Sequence, residues 1–216
     1  MPEEAERLDT DAWALAGAYR RFVAQGLHVG WSDRQPLAGK EFCEALAILA
    51  EGSGAFGFLA LQQFVANTSL AGCVPQSQPW PVVGVAFGHL RAPSGPAPQW
   101  DGARASGPVP WMTGAGIFGK VLLGLRGPGG AEVYALADAT DRPAFRHSAP
   151  MDLIAGAGTA TVSVQLRDLP IAASAVLKTD PPGALARGDA QSVLYQTPLM
   201  LGCARACLEL IRRSER

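Results

Sequence analysis

Pro110-Trp111-Met112-Thr113-Gly114-Ala115-Gly116 is the stretch on which the reading of this 216-residue chain turns. It sets a tryptophan, a hydroxyl and two glycines within one short turn. An indole followed two residues later by a threonine suits a flat heteroaromatic ligand, because the ring offers a stacking face and the hydroxyl a hydrogen bond at its edge. The glycines let backbone N–H groups come close. The same letters also describe an ordinary strand end and turn, so the neighbouring residues decide the meaning.

Upstream, Val82-Val83-Gly84-Val85-Ala86-Phe87-Gly88 is an apolar run of strand length, followed by His89-Leu90-Arg91-Ala92-Pro93. Trp100-Asp101-Gly102-Ala103 contains the Asp-Gly pair that favours a hairpin turn, and it leads directly towards Trp111. Downstream, Lys120–Arg126 and Glu132–Ala137 form two more strands around Gly127-Pro128-Gly129-Gly130. A last strand over Ala160–Leu166 runs into Arg167-Asp168-Leu169-Pro170.

In this order, a strand, a Trp-x-Thr-Gly, a hairpin and a closing strand ending in Asp-Leu-Pro, the chain resembles the middle β-domain of the acyl-CoA dehydrogenase family of flavoproteins. The resemblance runs from about Gly52 to the C-terminus and takes in the first helix of the family's C-terminal domain. It implies FAD, with the flavin against the β-domain. Trp111 would pack beside the isoalloxazine, and Thr113 would hydrogen-bond its edge near the hydride-accepting nitrogen. Phe87 and Gly88 would line the pyrimidine side and the thioester. Two departures stand out. The family's Thr-Glu-Pro and Gly-Ser phrases are replaced by Gly88-His89-Leu90-Arg91-Ala92-Pro93-Ser94-Gly95, and the chain stops after what reads as the first C-terminal helix, Pro198–Arg213. The family's glutamate base belongs to the part not matched, so the catalytic residues are unknown. His89 reads either as a flavin ligand or base, or as neither. Glu132, Asp138 and Asp141 read as solvated charges.

Composition narrows the class. Hydrophobic residues make up 48% and charged residues 17%, a surface short of charge for a free monomer, which implies a homo-oligomer or pairing with a related chain. A net charge of −1 argues against nucleic acid or an anionic membrane as partner. The acidic start Met1-Pro2-Glu3-Glu4 lacks the form of a signal peptide, and no apolar run reaches the ~20 residues of a membrane span, so the expected location is cytoplasmic. The wealth of Ala, Gly, Pro and Arg fits a bacterial GC-rich coding bias. Cys43, Cys73, Cys203 and Cys207 are not spaced as a disulfide framework. Cys203 and Cys207, one helical turn apart, read as small core residues and not as a metal site, since no His or second Cys pair accompanies them.

Along the chain, an Asp9 or Thr10 cap predicts a helix over about 11–25, with Trp13, Ala16 and Tyr19 on its apolar stripe and Gly26 as its stop. His28 reads as a packing residue. Helices follow over Lys40–Glu51 and Ala55–Asn67, the second apolar nearly all round and so expected to be buried. Pro-rich punctuation over 69–81 divides a helical part from a β part, and Pro93–Pro98 is a rigid connection. Residues 138–150 form a polar loop, Thr179-Asp180-Pro181-Pro182-Gly183 a linker, and Thr197 caps a final helix with Leu201, Ala204, Leu208 and Ile211 as its apolar stripe, which has no obvious partner within the chain and so favours pairing with a second chain.

The expectation is therefore an α+β chain: a helical region at 1–78, a β-barrel or sandwich at 79–178, and a linker with a single long C-terminal helix at 179–216. Its expected role is that of an acyl-CoA-dehydrogenase-like oxidoreductase acting on a CH–CH bond of an acyl thioester, with acyl-CoA or another small acyl ligand bound and a partner chain completing the site. The other reading is a catalytically inactive, truncated relative serving as a binding or oligomeric interaction subunit.

Overall fold

The computed structural model describes residues 2–35, 39–92, 94–192 and 196–214; Pro93, the first residue of the expected rigid connection, lies outside them. The chain divides into two units. One is drawn from Met1–Thr68, Asp152–Thr159 and Val193–Arg216, the other from Ser69–Met151 and Ala160–Ser192. Six α-helices and eight strands are present among the described residues, which makes the chain α+β.

The first unit is helical. Helix α1 covers Pro2–Thr10 and α2 covers Ala12–Ala24. Asp11 caps α2, its carboxylate accepting from Trp13 N at 2.8 Å and Ala14 N at 3.2 Å. The face that α2 buries is Leu15, Ala16, Tyr19 and Phe22; Trp13, placed on the stripe by its spacing, is 83% exposed. Helices α3 (Lys40–Gly52) and α4 (Gly54–Leu70) follow. No residue of α4 from 54 to 67 is exposed, as its all-round apolarity predicts. Its two buried amides are satisfied: Gln63 donates to Asn67 at 2.7 Å, and Asn67 donates to the carbonyls of His28 and Gly30 at 2.8 and 2.9 Å. Tyr19, Phe22, Phe56 and Phe64 form a ring cluster with edge-on and tilted contacts 5.4–6.4 Å apart.

The second unit holds one sheet. Its strands are β1 (Val83–Ala86), β2 (Gln99–Trp100), β3 (Arg104–Met112), β4 (Lys120–Arg126), β5 (Glu132–Asp138), β6 (Phe145–His147), β7 (Val162–Pro170) and β8 (Val176–Asp180). The order is β6-β7-β3-β2-β4-β5-β8, with β1 also beside β4. The path has two free ends, so the sheet is open and mixed; the closed barrel expected from the sequence is not formed. Among the described residues, its terminal strands β6 and β8 each pair with one neighbouring strand. The Asp101-Gly102 hairpin is present, with Asp101 accepting from Ala103 N and Arg104 N at 2.8 Å and Gly102 at φ +108°. Strand β4 is buried at every position after Lys120, whereas β3 and β7 largely alternate, so the core centres on Val109, Leu123, Leu125, Phe145, Val164 and Leu166.

The C-terminal part holds two helices where the sequence predicts one. Helix α5 covers Ala184–Ser192, directly after the expected linker, and α6 covers Thr197–Ser214 in the first unit. No described helix is long and apolar enough to cross a membrane.

Candidate functional site

The slot beside β4 is filled twice. β1 runs parallel to it with Ala86 opposite Leu123, and β2 returns to the same edge with Gln99 opposite Arg126. Between them the chain leaves the sheet at Phe87 and turns through a short 3-10 helix, Gly88–Arg91. Three side-chain contacts replace the missing strand pairing. His89 Nε2–H donates to the Gly124 carbonyl at 2.9 Å, and Arg126 Nη2 donates to the carbonyls of Ala92 at 2.8 Å and Leu90 at 3.5 Å. The tautomer follows, because a carbonyl only accepts. The His89 Nδ1 is buried without a hydrogen-bond partner among the described residues. Burial holds His89 below its ordinary value, with the Arg126 charge adding to the same direction and the Gly124 bond opposing it. His89 is thus a neutral clamp on the loop.

Phe87 sits at the start of this excursion. Its Cβ lies over Gly124, where a side chain would come within 2.6 Å of it, and its ring meets Tyr134 edge-on at 5.5 Å. Gly88, next to it, is exposed.

The other two residues singled out by sequence lie at the end of β3. Trp111 is 48% exposed, and its Nε1–H donates to Thr113 Oγ1 at 3.2 Å. Thr113 itself is buried, and its hydroxyl shares a second hydrogen bond with Thr161 at the same distance. One hydroxyl therefore serves the indole on one side and Thr161, just before β7, on the other, which fixes the ring while leaving much of it open. The turn beyond needs its glycines: Gly114 and Gly116 have φ of +80° and +75°. It also folds Phe118 back over Gly84, whose missing side chain would lie 2.5 Å from the Phe118 ring.

Trp111 and Thr113 are thus directly bonded to each other. Phe87 and Gly88 belong to the neighbouring segment, and Cα atoms of β3 approach within 8 Å of both β1 and the 3-10 helix that begins at Gly88. The carboxylates lie in other arrangements. Asp138 and Asp141 are exposed loop caps, held below the usual carboxylate range chiefly by backbone N–H groups of Thr140 and His147. Glu132 departs from its expected solvated role: it is fully buried and accepts from Gly183 N and Leu185 N at 2.8 Å each and from Tyr134 Oη at 3.3 Å. It caps the start of α5 from across the sheet. Cys203 is half-buried and Cys207 exposed, so neither is the core residue expected, and burial with nearby Asp9 pushes the Cys203 thiol up.

Sequence reasoning missed Thr161, Arg126 and Glu132. The last two had a signal, since each is a charge bordering an apolar strand. The partners that use them are remote in sequence.

No family model matches the chain, and no curated protein matches it. Solved structures do. The fold is similar to KijD3 in complex with FMN and dTDP-3-amino-2,3,6-trideoxy-4-keto-3-methyl-D-glucose, with 16% identity and a TM-score of 0.68, over 96% of this chain and 57% of that one. It is similar to TdsC, a dibenzothiophene monooxygenase from Paenibacillus sp. A11-2, in complex with FMN and indole, with 20% identity and a TM-score of 0.71, over 94% and 58%. It is similar to FkbI, for biosynthesis of a methoxymalonyl extender unit, with 16% identity and a TM-score of 0.70, over 95% and 63%. The chain spans about three fifths of the length of these proteins. At such identities the likeness is one of fold.

These neighbours correct the family expected from the sequence. They include monooxygenases and FMN complexes, and the acyl-CoA dehydrogenase family is not singled out. The physical reason is that a strand, a Trp-x-Thr-Gly, a hairpin and a closing strand describe a β fold, and one fold hosts several activities.

Proposed function

We propose that this chain is a flavin-dependent oxidoreductase component that acts on a small organic ligand, with the flavin lying against the ends of β1 and β3. The observation that carries this reading is the Trp111 indole, half exposed yet locked at its edge by Thr113. A fixed, open aromatic face suits stacking against a flat ring system. When bound, a flavin supplies the two-electron chemistry, and the chain supplies placement. Trp111 would flank the isoalloxazine. Thr113 would act mainly by holding Trp111, since its buried hydroxyl already serves two partners. Exposed Gly88 leaves room for close backbone approach, with Phe87 as the wall behind it, steadied by Tyr134.

The solved neighbours that hold FMN support a flavin. FAD, the form implied by the sequence resemblance, carries the same isoalloxazine, so these four residues serve either. A second reading, a non-catalytic interaction subunit on the same fold, is favoured by one observation: Glu132 is engaged in capping α5, and Asp138 and Asp141 in capping loops, so none of the three is poised as a base.

The test is a visible spectrum of the purified protein, as isolated and after incubation with FMN or FAD followed by gel filtration. Retained flavin bands are expected, with Trp111→Ala lowering flavin affinity about tenfold or more at unchanged circular dichroism. Absence of bound flavin after both incubations sinks the oxidoreductase reading and leaves the interaction subunit.

A further inference from the structure

The first unit carries a feature that the flavin reading does not use. Helix α6 buries only Pro198 and Gly202. It packs along α3, most closely at Gly202, where a methyl group would collide with the Ala47 carbonyl and lie 2.7 Å from Ala50 Cβ. Beyond that point α6 is apolar on two opposite sides. At 100° per residue, Cys203, Cys207 and Leu210 lie on one side, and Leu201 and Leu208 with Arg205 and Arg212 on the other. Leu201, Leu208 and Leu210 are 47–55% exposed.

The first of these sides forms one wall of a groove of about 1010 Å³, with α1 as another wall and Ile48, Leu49 and Phe56 among its apolar lining. That volume equals between two and three turns of a helix about 10 Å across. Charge divides the two surfaces. Glu4, Glu6, Asp9 and Glu51 lie along the groove together with Glu209 and Arg213, which pair with each other, whereas the outer side of α6 has Arg205 and Arg212. Neither arginine is in an ion pair, nor is Glu4, Glu6 or Glu51, among the described residues.

We infer that the groove is filled by α6 of a second copy of this chain, the two helices packing antiparallel about a two-fold axis. The argument is that wall and occupant are the same element. When α6 of one copy enters the groove of the other, the reverse happens at once, and the contact closes. Cys207, near the axis, then meets its own copy, and Cys203 of each chain meets Leu210 of the other. The opposite side of each α6 lies along the partner copy's α1, which sets Arg205 and Arg212 against the acidic row there. About twenty residues line the groove, the number that a standard-sized interface takes from one partner.

Sedimentation of the full chain over a concentration series tests this. A dimer is expected. Leu210→Glu, at an exposed site where it leaves the fold intact by circular dichroism, should raise the dimer dissociation constant about 30-fold or more. Arg205→Glu with Arg212→Glu should also weaken the dimer, and adding Glu4→Arg with Glu6→Arg in the same chain should restore it. Rescue by charge exchange is not expected of residues that only stabilise the monomer. A chain that stays monomeric at every concentration, or a dimer indifferent to Leu210→Glu and to the charge reversal, overturns the inference and leaves the groove to a different occupant.

Discussion

His89 shows how one side chain can tie a site loop to a sheet and bring pH dependence with it. Its Nε2–H replaces a strand hydrogen bond on Gly124, and burial disfavours its charged form. The folded-state pKa therefore lies below the unfolded one, and the unfolded chain takes up the proton first as pH falls. The contribution of His89 to stability is complete above its unfolded value of ~6.5 and is lost as pH drops through the lower folded value. His89→Gln keeps a donor for Gly124 without a titrating group. Urea unfolding at pH 7.5 and pH 5 should show a smaller loss of stability on acidification in the variant than in the wild type. An unchanged loss would show that His89 does not carry this dependence. Glu132 is a second residue of this kind. Truncating it to Ala would leave the partly buried N–H groups of Gly183 and Leu185 without their acceptor, at a cost of about 1–3 kcal/mol by urea unfolding, whereas Gln, which keeps one acceptor, should cost less.

At the scale of elements, those two residues explain what could be read in the sequence and what could not. Helices α2, α3 and α4 and strands β4 and β5 follow from local pattern: an apolar stripe in α2, whose cap is Asp11 and not the expected Asp9 or Thr10, an apolar run without breaks in α4, and glycine-rich turns between strands. Helix α5 does not. Pro181-Pro182-Gly183 reads as a linker, and the acceptor that starts the helix is Glu132, on a strand 51 positions away. β6 and β8 were hidden for a similar reason, since three residues and five residues at the sheet ends take their conformation from one neighbour each. Helix α6 was legible in extent but not in orientation. Its leucine stripe outweighs Gly202 by any hydropathy measure, yet Gly202 faces α3, because only a residue without a side chain allows so close an approach. Gly202→Ala should therefore cost about 1–3 kcal/mol and raise amide exchange along α6 before the rest of the chain. Equal exchange in variant and wild type would place the α3 contact elsewhere. The candidate site was half legible in the same sense. Trp111 and Thr113 are two apart and bond directly, but the hydroxyl of Thr161 that completes their arrangement is 48 residues further on.

For the whole molecule, the order of segments is the controlling fact. The helical unit is not a continuous stretch: it needs Asp152–Thr159 and α6 as well as the first 68 residues. Both additions make close contacts. Gly158 lies so near the backbone of Leu8 and Asp9 that no side chain fits there, and Gly202 does the same at Ala47. Asp9 in turn binds Ser53 Oγ at 2.5 Å and Ala55 N at 2.9 Å, linking α1 to the start of α4. A fragment of residues 1–68 keeps α1 to α4 in sequence but leaves the α3 face around Ala47 and Ala50 open to water, in a piece of a size that is marginal even when complete. Residues 69–192, by contrast, contain every strand of the sheet, together with Glu132 and the helix it caps. The expected outcome is that fragment 69–192 gives a dispersed amide spectrum and a cooperative unfolding transition, whereas fragment 1–68 gives neither until residues 152–159 and 193–216 are supplied, joined by flexible linkers. Cooperative folding of 1–68 alone would mean that α3 and α4 are stable without α6. The face that α6 covers would then be one that the unit can leave exposed.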